Sequence, residues 1–306
     1  MRSFIAHRLL RFGTTLLLFL PLLAFPPLAG ALEVAVVKSN SIRPYGEALE
    51  GFRSSVPFTV RELPLTKPGN ADIVRRIRRM KPDLVLAIGQ NALSSISEIE
   101  DIPLIYLMVL NLPPSLSKQK NISGVSLYLS PEVYLATLAR SFPGKRRIGV
   151  IYDEAKSSFF VEKIQHAARA RELEIILRKA DVPGDVMPLL ASLKGRIDLL
   201  WLLPDTTVVS PDTMKLLMQY SLQHAIPVIS FTSQHIDLGA LMTLDIDPFD
   251  MGVQAGDIAQ RLLSSKDAQR IREEARKGRT TINLKIAGKL WITFSDKVLR
   301  EVRIIE

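Results

Sequence analysis

From residue 33 onward, short apolar runs alternate with longer stretches in which apolar residues return at helical spacing. The short runs suit buried strands, and the longer ones suit helices that lay one face on a sheet. Strand followed by helix, repeated, predicts parallel strands covered by helices. The series occurs twice. In the first, strands are predicted over 33–37, 58–63, 83–88 and 103–108, with helices over 45–53, 71–80 and 92–98. The second begins after the loop Phe142-Pro143-Gly144-Lys145, with strands over 147–152, 174–179, 198–202 and 227–231 and helices over 159–171, 186–193 and 211–224. The fold class expected is α/β, with two Rossmann-like lobes whose parallel sheets face a central cleft. Ligands of such sheets sit beyond the C-terminal ends of the strands, so that edge of each lobe is where binding residues are sought.

Beyond residue 240 the pattern is less regular. A helix is predicted over 248–263, with Met251, Val253, Ala255, Ile258, Ala259 and Leu262 inward. The charged stretch 266–279 is expected to be exposed, 280–284 to be a strand and 285–290 a short helix. Periodicity alone assigns none of these to a lobe.

The first residues have a different character. Arg2, Arg8 and Arg11 precede an apolar segment over 16–28, and Ala29-Gly30-Ala31 supplies small residues where a signal peptidase cuts. This is the order of a secretory signal, with the mature chain starting near Leu32. A retained membrane anchor is the other reading, weakened by Pro21, Pro26 and Pro27 in a segment short for a span. Removing 1–31 takes away those three arginines, so the net charge falls from +9 to +6.

Composition narrows the class further. With 47% hydrophobic and 23% charged residues, the chain reads as globular rather than disordered. At 306 residues it is long enough for two domains, each with its own core. Cysteine is absent, so neither a disulfide nor the acylated cysteine of a lipoprotein is available. The densest basic run, Arg75-Arg76-Ile77-Arg78-Arg79, alternates with apolar residues at helical spacing and reads as the wet face of a helix, not a nucleic-acid patch.

Five segments, in order, carry a resemblance. They are AIGQNAL (87–93), NISGVS (121–126), LPDTTVVSP (203–211), GALMTLDIDPFDMGVQAGDIAQRLL (239–263) and TINLKIAGKLWI (281–292). Together they resemble the ABC transporter substrate-binding proteins, a family with tryptophan- and tyrosine-type binders. The resemblance implies a type I periplasmic-binding fold, an amino acid or related small carboxylate as ligand, a permease partner and a periplasmic location. It also implies more than one crossing between lobes, so 239–263 is expected to return to the first. The lobes are accordingly expected over 32–126 plus about 232–263, and over 127–231 plus about 264–306, after the 1–31 signal. The chain departs from the family at VLNLPPSL (109–116), where an Asp-Pro pair is usual, and at Gly89-Gln90, where Gly-Thr is usual.

Candidate ligand residues follow from the strand ends. Gly89, Gln90 and Asn91 open the helix after the third strand, where backbone N–H groups suit a carboxylate; helix capping is the plainer alternative. Asp205, with Thr206, follows a second-lobe strand and is a candidate for receiving an ammonium, or else holds a turn. Asp153 is a candidate of the same kind, with Glu154 and Lys156 beside it suggesting a solvated loop. Tyr45, Tyr152 and Phe231 are candidates for sandwiching an apolar ligand, or else for core packing. Ser39, Asn40, Asn111 and Thr232 complete the set.

Catalysis is not expected. The histidines are scattered, His235 standing alone near Asp237, and no nucleophile elbow, phosphate loop, GxGxxG turn or HExxH helix is present. No cofactor, metal or nucleic acid is expected, and the protein is expected to be a monomer. Two other roles fit the same scaffold: a periplasmic sensor or adaptor feeding a signalling receptor, and, less well, a nucleotide-sugar transferase.

Overall fold

Beta-branched and leucine-rich runs make the strands, and the chain's helical-period stretches make the helices between them. A computed structural model describes residues 32–65, 71–264 and 269–306; the expected signal lies outside the described residues. The first half runs β1 (Glu33–Lys38), α1 (Arg43–Ser55), β2 (Thr59–Pro64), α2 (Ala71–Met80), β3 (Leu84–Ile88), α3 (Gln90–Ser95), β4 (Leu104–Val109), α4 (Pro114–Ser117) and β5 (Ile122–Leu129). The chain then continues through α5 (Pro131–Ser141), β6 (Arg147–Tyr152), α6 (Glu154–Arg169), β7 (Glu174–Lys179), α7 (Val186–Leu193), β8 (Leu199–Trp201), α8 (Pro211–Gln223), β9 (Val228–Ser230) and β10 (Met242–Ile246). It ends in α9 (Pro248–Ser264), β11 (Arg272–Ala275), β12 (Gly278–Asn283), α10 (Leu284–Lys289), α11 (Asp296–Arg300) and β13 (Arg303–Ile305).

Among the described residues the strands form two sheets, ordered β11-β5-β4-β3-β1-β2 and β13-β12-β10-β9-β8-β6-β7. Parallel pairing dominates both, and β10 with β12 is antiparallel. Strands β3 and β8 are buried along their whole length, as parallel strands sandwiched by helices must be.

The division differs from the one expected at two places. Strand β10, placed by sequence in the first lobe, pairs with β9 in the second sheet. The stretch expected to be merely exposed contains β11, which extends the first sheet beside β5. Its sequence, Arg-Glu-Glu-Ala, hides a strand because an edge strand carries charge without penalty and gains protection from foreign pairing. The helix α9 does return to the first half, where it packs on α1. The chain therefore crosses between halves three times among the described residues, after β5, after β10 and after β11.

Helices α1 and α9 approach backbone to backbone. A Cβ on Gly252 would lie 1.9 Å from the Ala48 carbonyl oxygen, and one on Gly51 would lie 1.9 Å from that of Phe249. Only glycine permits this spacing, which seats α9 over the first sheet.

At the edge of the second sheet away from the cleft, Asp198 joins the starts of β6 and β8. Burial favours its neutral form, yet the Arg147 guanidinium and the Arg147 and Arg146 N–H groups outweigh burial and hold its carboxyl at about 2, from an ordinary 3.8. A depressed carboxylate stabilises the fold fully above its unfolded value, and that contribution is lost as pH falls through the folded one. Acid titration between pH 4 and 2 should therefore remove about 2 kcal/mol in the parent. The Asp198→Asn protein should lack this component of the urea-midpoint profile; equal profiles for the two would disprove the assignment.

Candidate functional site

The C-terminal ends of β1, β3 and β4 carry the first-half candidates. Ser39 leaves β1 with its N–H on the Ile88 carbonyl at 2.9 Å, while its hydroxyl accepts the Ala92 N–H at 2.8 Å. Ser39 thus ties β1 to α3 across the strand ends. Gly89 has φ +93, and a Cβ there would lie 2.5 Å from the Tyr45 hydroxyl and 2.6 Å from Ser39 Oγ. Ser39, Tyr45 and Gly89 are accordingly brought together. Asn40 stands apart on the exposed rim, its Oδ1 accepting the Ile42 N–H ahead of α1.

Two expectations for this turn need correction. The Gly89 N–H is spent on the Leu107 carbonyl at 2.9 Å, so it does not face a ligand. Nor do Gln90 and Asn91 cap α3 for their neighbours; Ser39 meets the Ala92 N–H from another strand, and both amides are exposed.

In the second half, Asp205 is 1% exposed. Its Oδ2 accepts the Asp153 N–H at 2.8 Å and the Ser157 hydroxyl at 2.6 Å, and its Oδ1 accepts the N–H groups of Thr207 at 3.0 Å and Val208 at 3.4 Å. Four donors of the protein meet the carboxylate, which leaves no room for a ligand ammonium; the expectation that Asp205 receives one is revised. Instead it clamps the β8 loop to the start of α6. Thr206, next to it, is exposed on the rim.

Asp153 is the N-cap of α6, its Oδ1 accepting the Ala155 N–H at 2.9 Å. Its Oδ2 accepts the Thr207 hydroxyl at 2.6 Å, and Thr207 Oγ1 in turn accepts from Lys156 Nζ at 2.6 Å. The Thr207 hydrogen bond, the Ala155 N–H and Lys156 together lower the Asp153 pKa against a desolvation penalty, the Thr207 bond being the largest influence. Tyr152 is buried in the core, not on the cleft, so its sandwiching role is also corrected. Phe231 is half-buried, its ring edge-on to His235, and Thr232 follows it without a side-chain capping bond. His235 itself is buried with Nδ1 2.6 Å from Ser230 Oγ, and burial lowers its pKa.

Between the halves lies a cavity of about 570 Å³. Tyr106, Leu110, Asn111 and Tyr128 wall it from the first half, and Lys156 and Phe159 of α6 from the second. Phe159 is 45% exposed and meets Tyr128 edge-on at 5.3 Å. Burial, with a smaller contribution from the Asp205 charge, pushes the Tyr128 hydroxyl up to about 12 even though Asn111 Oδ1 accepts its proton at 3.4 Å. Tyr128 therefore stays neutral and a donor. At the rim Lys163 of α6 pairs with Glu274 of β11, an ion pair from one half to the other.

Of the candidates only Asn111 lines this cavity. Tyr128 and Phe159 were missed because β5 was not recognised as a strand and because Phe159 entered only as the first residue of the helix predicted over 159–171. Lys156 was visible but set aside as loop solvation.

The model of the ABC transporter substrate binding protein family matches residues 67–304. This chain belongs to that family. A tyrosine-binding protein from Clostridioides difficile is 29% identical to this substrate-binding family member over 208 residues, which are 65% of this chain. The match spans 60% of that relative's length. Among solved structures, a ligand-free, open substrate-binding protein with adhesive properties from Clostridium difficile has TM-score 0.69 at 19% identity, covering 90% of this chain and 99% of that one. An ABC domain from Streptococcus pneumonia in complex with L-Trp has TM-score 0.56 at 20% identity, covering 90% and 100%. These likenesses establish the type I periplasmic-binding-like fold for the family member described here.

Proposed function

We propose that this protein is the extracytoplasmic solute-binding component of an ABC-type importer, a monomer that closes its two halves on a small aromatic carboxylate or amino acid and delivers it to a membrane permease. The observation carrying this reading is the cavity between the halves, where an aromatic wall of Tyr128 and Phe159 meets Lys156 in the first turn of α6. An aromatic ring and a carboxylate are the two groups such a surface holds, by stacking and by charge-assisted hydrogen bonding. The tyrosine-binding relative and the L-Trp complex support the same ligand class. The signal pattern in the sequence of residues 1–31 favours export. Among the described residues no helix is long and apolar enough to cross a membrane.

Cleft closure follows from contacts that exist only when both halves meet the guest. The Lys163–Glu274 pair, on the rim between the halves, is placed to add to the closed state. Thermal-shift screening of protein starting at Leu32, against aromatic amino acids and aryl carboxylates, tests the reading. A ligand at a hundred times its dissociation constant raises stability by about 2.7 kcal/mol. No shift with any member of either class would remove the proposal.

A further inference from the structure

We infer that Trp291 and the lysines of α10 dock this protein on an anionic lipid bilayer surface. The inference goes beyond the importer reading and shares no residue with the cleft. Trp291 is 93% exposed, whereas no other large hydrophobic residue among those described exceeds 55%. It also occupies a position that suits glycine. Helix α10 ends with the Trp291 N–H on the Gly288 carbonyl at 3.2 Å and the Ile292 N–H on the Ala287 carbonyl at 2.9 Å, the paired bonds of a Schellman turn. The residue after the C-cap Leu290 takes positive φ in such a turn, and Trp291 has φ +55. Any side chain there costs backbone energy that glycine avoids. Packing does not offset that cost, because the indole has no ring contact and no hydrogen bond among the described residues.

Charge decides what this side chain meets. From Leu284 to Arg300 the chain carries Lys285, Lys289, Lys297 and Arg300 against one acid, Asp296. None of these four cations has an ion-pair partner among the described residues, and Glu301, next along, is taken by Arg140 at 3.6 Å. Lys285, Gly288 and Lys289 make the open face of α10, while Ile286, Ala287 and Leu290 are buried beneath it. Trp291 therefore stands alone among cations. A protein interface builds its centre from contiguous apolar surface, which is lacking here because Leu290 is buried and Thr293 is polar. A bilayer moulds itself around a single ring, with the indole among the headgroups and the ammonium groups on lipid phosphates. The placement leaves the cleft free. Asn283, which opens α10, bonds the Leu241 carbonyl ahead of β10, and Phe294 packs on Phe142 ahead of β6, so Trp291 lies between two anchors at the edge where the parallel strands begin. Ligand is bound at the opposite edge.

Fluorescence tests this directly. The chain has two tryptophans, and Trp201 is 1% exposed, so a change of emission from the long-wavelength component belongs to Trp291. The protein used is the compact unit Leu32–Glu306, in which the apolar segment over 16–28 is absent and cannot insert. Phosphatidylglycerol vesicles should move the emission to shorter wavelength at low salt, with the shift reversed by high salt, and phosphatidylcholine vesicles should leave it in place. Lys285→Gln and Lys289→Gln should each weaken vesicle binding about fivefold. Trp291→Gly should weaken cosedimentation with the vesicles about tenfold or more, while its urea midpoint equals or exceeds the parent's because glycine suits the turn. No shift with phosphatidylglycerol vesicles overturns the inference. Equal shifts with both lipids overturn the role of the lysines, and unchanged cosedimentation of Trp291→Gly overturns that of Trp291. A response to native inner-membrane vesicles that protein-free phosphatidylglycerol vesicles do not give assigns the surface to a protein partner and overturns docking on lipid. Each of these outcomes leaves the importer reading to its own ligand screen.

Discussion

Gly252→Ala should cost at least about 3 kcal/mol of unfolding free energy, read as a lowered urea midpoint, because the new methyl would have to occupy the place of backbone. The ideal Cβ lies 1.9 Å from the Ala48 carbonyl oxygen and 2.7 Å from the Phe52 nitrogen. Neither can swing aside as a side-chain tip would, since both belong to the hydrogen-bonded helix α1. The two helices must separate, and separation uncovers the apolar faces that they share, including Leu49, Phe52, Met251, Ala255 and Ile258. Gly288→Ala provides the control. It also lies in a helix, α10, but nothing stands within 4 Å of its Cβ. That substitution should be neutral or stabilise by up to about 1 kcal/mol, through the lower entropy of the unfolded chain and better helix propensity. Equal midpoints for Gly252→Ala and the parent would show that the close approach of α1 and α9 is not a feature of the protein in solution.

Asp205→Ala should be comparably severe, at about 3–5 kcal/mol, and should show this without any ligand. The substitution leaves the N–H groups of Asp153, Thr207 and Val208 and the Ser157 hydroxyl without their acceptor in a buried loop junction. Unmet buried donors cost more than the bonds themselves contributed. Asp205→Asn should lie between, since an amide keeps one accepting oxygen and loses the charge. The measurement is the urea midpoint of the unliganded protein, followed by fluorescence of Trp201, which is buried on β8 just before this loop. An unchanged midpoint together with lost ligand binding would reverse the assignment and return Asp205 to the role of a ligand contact.

The contrast between these residues explains how much the chain discloses by itself. Strands β1, β3, β4, β6, β8 and β9 are legible from short apolar runs, because strands covered on both faces leave no polar alternation to confuse the reading, whereas β2 and β7 are more exposed strands at the sheet edges. Strand β5 escaped because Ser123, Gly124 and Ser126 interrupt its apolar run, and β11 escaped because three of its four residues are charged. The misplaced lobe boundary has a simple cause: β10 and α9 are separated by Asp247 alone, yet they serve different halves. Periodicity describes the face of an element and carries nothing about which sheet receives it.

The candidate site divides in the same way. Strand-end logic found the cluster of Ser39, Tyr45 and Gly89, because the C-terminal edge of a parallel sheet is a local property of each strand-to-loop junction. It misjudged Tyr152 and Asp205, since burial and hydrogen-bond saturation come from partners about fifty residues away, such as Asp153 and Ser157. Lys156 was undervalued for the opposite reason: its sequence neighbours are charged, while in space it meets Thr207 and an aromatic wall besides Asp153.

The triple crossing has a bearing on how the molecule comes into being. Helix α9 covers α1, and β11 completes the first sheet, but both are encoded after most of the second half. A growing polypeptide therefore holds its opening half unfinished until the stretch reaching Ala275 has emerged. Completion of the first half thus waits on segments that follow β10.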